Sequence, residues 1–352
     1  MALTSMLTLP RLQSLLAQFP RLTIGLVGDL FLDRYLELAP GVQEMSLETG
    51  LEAYQITRVR NAPGALGTVL NNLAALRVGR LVPLTVIGDD GHGYDLRREL
   101  ARLPVDPQHV VASSERLTPT YTKPLRRMAD GGVQELNRLD IRDRGPLSPA
   151  VTHEVCRRLR QLAEACDGLI VLDQIVESNW GVVNDEVRGA LAELAARNPA
   201  KLIYVDSRAH LQCFTSGTLK GNRSEVTSAA GMPVEDDAAT RHALQALALR
   251  TRCRAFCTCG DAGILVAEPE GPLTLAPGYR VPGPVDIVGA GDAASSGIVT
   301  SLLAGATPVE AAIVGNLVAS ITVQQLGTTG TASPDQVEAR WHEWRAATPE
   351  SP

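Results

Sequence analysis

The residues best placed to do chemistry together lie in one run, Asp286-Ile-Val-Gly-Ala-Gly-Asp-Ala-Ala-Ser-Ser-Gly297, which leads into an apolar helix-period segment through Leu303. A glycine-rich turn that opens a helix aims backbone N–H groups at one point and adds the positive end of the helix dipole, so it holds an anion. Gly289 and Gly291 let that anion approach the backbone closely, since a side chain at either position would intrude. Asp292 falls in the first turn, where a carboxylate can take a proton from a hydroxyl lying against the same anion hole. Together they suit transfer of a phosphoryl group to an alcohol. The same letters also spell an ordinary N-cap, because Gly-Asp before a helix is common and G-x-G alone is weak.

Other polar residues stand at positions where chemistry or plain structure would use them. VGDLFLDRY puts Asp33 just past the first apolar run, a place for recognising paired hydroxyls or for a loop ion pair. LKGNRSE carries Asn222 and Glu225 at the spacing of a helix-start cap. In TCGDAGILV, Gly260-Asp261-Ala262-Gly263 reads as a hairpin turn between two strands. Of the six cysteines, Cys253, Cys257 and Cys259 are close in sequence, but no second ligand pair sits at zinc-finger spacing. They read as reduced thiols in and beside a buried strand. There is no G-x-x-x-x-G-K-[ST], and no G-x-G directly after a strand with an acid about 20 positions on, which disfavours P-loop and dinucleotide readings.

These residues need a scaffold, and the chain alternates short apolar β-rich runs with longer helix-period segments, the mark of βαβ units and a mainly parallel sheet. Strands are expected at Leu22–Val27, Leu81–Ile87, Gly168–Leu172, Lys201–Val205, Ala255–Thr258 and Ile264–Ala267. Helices are expected at Ala65–Leu76, Ser148–Cys166, Asn184–Arg197 and Asp236–Leu249. Two stretches, about 36–60 and 118–140, break the rhythm; the second reads as two extended segments around an Asp-Gly-Gly turn. Both are expected to form a small β-strand lid inserted in one domain over residues 21–346, preceded by a helical extension at 1–20 and followed by a frayed tail. With 352 residues, 45% hydrophobic and 20% charged, the chain can bury a large core. The net charge of −6 offers no field for a phosphate backbone, so nucleic acid is not expected as a partner. The first residues lack a signal-peptide pattern and no apolar run reaches membrane-spanning length, so no membrane partner and a cytoplasmic location are expected.

The DIVGAGDAASSG run resembles the second signature of the PfkB (ribokinase) carbohydrate kinases, departing from it only at Ile287. The resemblance implies a ribokinase-like α/β fold, ATP as phosphoryl donor, Gly289, Ala290 and Gly291 as the anion hole, and Asp292 as the base. It extends in family order from Leu22 to Gln336. It implies that Asp33 binds the sugar, and that Asn222 and Glu225 order water, Mg2+ and phosphate oxygens, with Glu225 reaching the metal through water. Thr258, Gly260 and Gly263 then belong to the ATP side, with Asn316 as a polar contact near adenine. A monovalent cation stays open as a further cofactor.

Within the family, VGDLFLDRY, PTYTKPLRR…LNRLD and LGTTGTASPDQV look most like the heptose-7-phosphate kinases of ADP-heptose synthesis. That likeness implies that Arg34, Lys123 and Arg138 hold a sugar already carrying a phosphate; solvated lid charges are the plainer account of the same residues. The nucleotidyltransferase half that often follows this kinase is not expected, nor therefore a bifunctional enzyme. The family's first signature is eroded: of its Gly-Gly pair only Gly64 remains, with Pro63 before it and Gly67 where an Asn belongs. Proline stiffens a hinge and the lost amide removes a donor to substrate. A kinase of an unphosphorylated sugar or nucleoside, and a sugar- or nucleotide-binding regulator without turnover, are therefore the rival readings. A homodimer through the open lid strands is also expected.

Overall fold

Runs such as TIGLVG and GLIVLD are apolar on both faces, as strands covered by helices on two sides must be. The chain is described here by a computed structural model covering residues 6–347 apart from 42, 43, 129, 234, 235 and 328; residues 1–5 of the expected extension and 348–352 of the expected tail lie outside the described residues. Its strands are β1 (Thr23–Gly28), β2 (Leu30–Leu38), β3 (Ile56–Ala65), β4 (Arg80–Gly88), β5 (Val110–Ser113), β6 (Thr120–Arg127), β7 (Val133–Glu135), β8 (Leu139–Ile141), β9 (Gly168–Asp173), β10 (Leu202–Ser207), β11 (Thr218–Asn222), β12 (Ala255–Thr258), β13 (Gly263–Ala267) and β14 (Leu273–Pro277). Nine of them form one sheet in the order β14-β13-β12-β11-β10-β9-β1-β4-β5, parallel from β5 to β12 and antiparallel at β13 and β14. The winding switches direction at β1, which has β4 on one side and β9 on the other, and such switch points open a crevice at the carboxyl ends of the strands.

The helices are α1 (Leu9–Leu16), α2 (Leu66–Ala75), α3 (Gly91–Leu100), α4 (Pro149–Ala165), α5 (Asp185–Arg197), α6 (Arg223–Ala229), α7 (Asp237–Thr251), α8 (Ala290–Leu303), α9 (Pro308–Thr322) and α10 (Pro334–Ala347). Ser148, Asn184 and Asp236 cap α4, α5 and α7, each accepting from a first-turn N–H, so the helices start where the sequence period starts. One side of the sheet is packed by α2, α8, α9 and α10 around Leu70, Ile298, Val314 and Trp341, the other by α4 to α7 around Leu159, Leu191 and Leu244. Helix α1 joins the first layer: Leu12 and Leu15 are buried there, and the Trp341 indole donates to Leu7 O at 3.2 Å.

The lid is a separate sheet, β3-β2-β6-β7, with β8 beside β6. Segment 118–140 forms the expected hairpin, β6 pairing antiparallel with β7 across the Gly131–Gly132 turn. Segment 36–60 is strand only at its ends; between β2 and β3 the described residues hold one isolated bridge, Met45 with Glu52. The lid also begins earlier than the sequence pattern marks. Only Asp29 separates β1 from β2, so Asp33 lies within a lid strand and not just past a strand of the main sheet.

Candidate active site

The carboxyl ends of β9 to β12 and the start of α8 surround a cavity of about 520 Å3. Gly289 caps α8 in the left-handed region, at φ 79, which a glycine adopts without strain. Asp286 fixes the approach: its carboxylate accepts from Val288 N at 3.0 Å and Gly327 N at 3.3 Å, and its own N–H donates to Val323 O. The Ala290 N–H is spent on Ile287 O at 3.1 Å, so the donors left for an anion are the first-turn N–H groups of Gly291 and Asp292. Ala290 thus shapes the anion hole without donating to it.

Asp292 stands on the cavity wall in the first turn of α8. Burial raises its carboxyl to about 7, helped by Asp206 and Glu225 and opposed by Lys220 and Arg208. A carboxylate tuned to neutrality is what a general base at neutral pH requires. A pair the sequence reasoning missed backs the turn. Lys220 is buried on β11, its Nζ donates to Asp206 Oδ2 at 2.8 Å, and a Cβ on Gly291 would stand 3.1 Å from that ammonium. Burial works against the charge on Lys220, yet Asp206 more than offsets this and its pKa lies above the usual lysine value. Asp206 also accepts from Ser295 Oγ of α8 at 2.9 Å, which ties β10, β11 and α8 together beneath the anion turn. The available signal was a lysine two residues before Asn222 on one short strand, hence on the same face.

Every residue expected on the nucleotide side lines this cavity: Asn222, Glu225, Thr258, Gly260, Gly263 and Asn316. Several are partly committed elsewhere. Asn222 and Glu225 form a reciprocal capping box at α6, with Glu225 N donating to Asn222 Oδ1 at 2.9 Å and Asn222 N to Glu225 Oε2 at 2.6 Å. One oxygen of Glu225 stays free, and burial raises its pKa. Gly263 is a structural need, since a Cβ there would meet Ala276 O at 2.2 Å, whereas Gly260 has open space around it. The amide of Asn316 donates to Ala276 O and Pro277 O, both at 3.0 Å, so it holds β14 to α9 and cannot also donate to adenine. No cluster of three His, Cys, Asp or Glu side chains forms a metal cage among the described residues. An Mg2+ that keeps its waters and nucleotide phosphates needs only a carboxylate or two, and the free oxygen of Glu225 fits that need.

The residues expected to bind the acceptor all fall on the lid and its hinge, but two of them are engaged by other partners. Asp33 and Lys123 form an ion pair at 2.9 Å across β2 and β6. A Cβ on Gly64 would lie 2.4 Å from Asp33 Oδ2, so the surviving glycine of the eroded signature makes room for that carboxylate. A Cβ on Gly67 would lie 2.3 Å from Pro63 Cβ; the two departures from the signature therefore fit each other, the proline ring taking the space that the glycine leaves. Helix α2 then brings Thr68 within 3.5 Å of a Cβ on Gly289, which joins the lid hinge to the anion turn. Arg34 is the first: alternation along β2 turns it away from Asp33, and it pairs with Asp95 of α3 at 2.8 Å. Arg138 is the second, held by both oxygens of Asp140 at 2.6 and 2.8 Å while stacking 4.2 Å over the Tyr121 ring. Arg208, which lines the large cavity, is a further cation that the sequence reasoning passed over.

A sheet with this switch point brings the glycine turn at the start of α8 and the raised carboxyl of Asp292 to one cavity. Residues 184–336 match the model of the pfkB family carbohydrate kinases. Among similar proteins, Bifunctional protein HldE of Caulobacter sp. (strain K31) is 31% identical over 327 residues, covering 89% of this chain and 62% of that protein. Bifunctional protein HldE of Trichlorobacter lovleyi is 26% identical over 336 residues, covering 93% of this chain and 64% of that protein. The chain spans a little under two thirds of the length of these relatives. The fold is ribokinase-like. It matches phosphofructokinase-2 from Escherichia coli in complex with potassium at a TM-score of 0.69 and 18% identity, over 92% of this chain and 99% of that one. It matches Arabidopsis thaliana ribokinase complexed with ribose and ATP at 0.65 and 15%, over 91% and 98%. No helix among the described residues is long and apolar enough to cross a membrane.

Proposed function

We propose that this chain transfers the γ-phosphoryl group of ATP to a hydroxyl of a sugar, with a sugar phosphate, and among these a heptose 7-phosphate, as the favoured acceptor. The observation that carries the reading is Asp292: a carboxyl raised to about 7, one turn into a helix whose first N–H groups face the same cavity. The acceptor oxygen forms a bond to the γ-phosphorus, the bond from that phosphorus to the β–γ bridging oxygen breaks, and the hydroxyl proton passes to Asp292. The N–H groups of Gly291 and Asp292 and the ammonium of Lys220 stabilise the charge on the phosphoryl oxygens in flight. Mg2+, when bound, neutralises the donor phosphates; Glu225 orders its water shell. Asp33 orients the sugar, and its partner Lys123 with Arg208 supplies positive charge for an acceptor that already bears a phosphate.

The intact anion turn favours this over a regulator without turnover, because such a protein needs no tuned base. An ADP-release assay with ATP and Mg2+ across free sugars, nucleosides and sugar phosphates tests it. The expected result is turnover with at least one sugar phosphate at a kcat/KM about tenfold or more above its unphosphorylated parent. A preference for the free sugar or a nucleoside would overturn the acceptor class, and no turnover with any acceptor would overturn the kinase itself.

A further inference from the structure

A second, smaller cavity of about 210 Å3 lies beside the acceptor side of the cleft, bounded by Asp29, Phe31, Ile175, Trp180 and the side chains of Arg142 and Arg144. It contains none of the residues around Asp292, but it adjoins the acceptor site through three contacts. Phe31 and Asp33 are two apart on β2 and share one face. The Phe31 ring packs edge-on against Tyr121 at 5.1 Å, and Tyr121 is the register partner of Asp33. Gln174 lines the large cavity while the next residue, Ile175, lines the small one.

Asp29 is the unexplained group. It is only 7% exposed, its Oδ1 accepts from Val182 N at 2.9 Å, and its buried Oδ2 has no hydrogen-bond partner among the described residues. Buried carboxylate oxygens are seldom left so, and each such oxygen asks for a donor. Arg116, which lines the same cavity, is already engaged by Asp143 at 3.0 Å, Gly145 O at 2.9 Å and Trp180 O at 3.1 Å. Gly181 leaves the room that this oxygen fills, since a Cβ there would stand 2.7 Å from it. The chamber thus offers an unpartnered acceptor beside the rings of Phe31 and Trp180, within a rim of ion-paired charge in which Arg116 meets Asp143 and Arg142 meets Glu177. Such a mixture of apolar and polar wall suits the alternating hydroxyl and C–H surface of a sugar.

We infer that this chamber receives the hydroxylated arm of the acceptor beyond the carbons held at Asp33, with Asp29 Oδ2 accepting from a hydroxyl of that arm, and so selects sugars by chain length. The inference rests on the kinase reading and adds to it a specificity-determining residue. Asp29→Asn tests it, because the amide oxygen keeps the Val182 bond while the free acceptor and its charge are lost. Steady-state kinetics would be run on the wild type and the variant with pentose, hexose and heptose acceptors. The expected loss in kcat/KM is about 10- to 100-fold for the longest acceptor, carried by KM, and under about 2-fold for the pentose, as removal of one charged hydrogen bond implies. Equal losses at every length would mean a structural role, and no loss at any length would mean no contact; either overturns the inference. Gly181→Ala, which crowds the same oxygen and leaves the carboxylate in place, should reproduce the length-dependent loss even if Asp29→Asn folds poorly. Should the wild type phosphorylate nothing, the kinase reading fails on its own, and calorimetric binding of the same sugars still decides the chamber. Affinity that grows with chain length in the wild type and not in Asp29→Asn supports it, and affinity indifferent to the variant removes it.

Discussion

Asp292 folds with a pH-dependent penalty that follows from its task. A carboxyl of this kind titrates near pH 3.9 in an unfolded chain, but at about 7 in the folded protein, chiefly because burial disfavours the charge. Folding therefore takes up a proton between those values. The stability tied to this group is complete at the acid end and is lost as pH rises through 7. Asp292→Asn removes the titration and leaves the helix start in place, because the cap of α8 is Gly289. Calorimetric melting of the unliganded proteins should find the variant more stable than wild type at pH 8, with the gap narrowing at pH 5 and closing only below about pH 4. A gap independent of pH over that range would show that Asp292 is an ordinary surface carboxylate. The exchange of stability for a tuned base is common at active sites.

At the scale of elements, the proposed acceptor site rests on the lid hinge through a contact between the Gly64 backbone and the Asp33 carboxylate. Gly64 faces Phe31 in the β2–β3 ladder, and the Asp33 carboxylate occupies the place of its missing Cβ. Gly64→Ala should displace Asp33 and raise the acceptor KM by about tenfold or more while leaving the ATP KM within twofold. An unchanged acceptor KM would take Asp33 out of the acceptor site. The lid also shows where sequence reasoning ran out. The hairpin of β6 and β7 was legible from its Asp-Gly-Gly turn, because turn chemistry is local. The continuation of β1 into β2 was not, since Gly28-Asp29 reads as the end of the first strand and hides its resumption at Leu30. With Asp33 placed past a strand end, the parity rule that separates it from Arg34 had nothing to act on. Once both lie on one strand, Asp33 faces Lys123 and Arg34 faces Asp95, as alternation demands.

Across the whole molecule, the alternating pattern of apolar strand and helix period made the parallel sheet legible, and the Gly-Ala-Gly-Asp run marked the entrance of α8. What stayed hidden are groups that meet only after folding. Lys220 and Asp206 come from different strands and lie beneath a turn some 70 residues further on, and Asp29 acquires its neighbours Gly181 and Val182 from the connection between β9 and α5. Local letters carry caps and turns; convergence of strand ends belongs to the topology, which brings β1, β9, β10 and β11 side by side. The central claim joins both levels, that a base on α8 acts on an acceptor held beneath the lid. It is tested most directly by the turnover number of Asp292→Asn with the best acceptor, alongside nucleotide affinity by calorimetry. The expected result is a kcat lower by about 100-fold or more with ATP affinity within about threefold of wild type, since an amide cannot take the hydroxyl proton. Retention of most of the wild-type rate would show that Asp292 is only a first-turn helix residue, and would contradict the account.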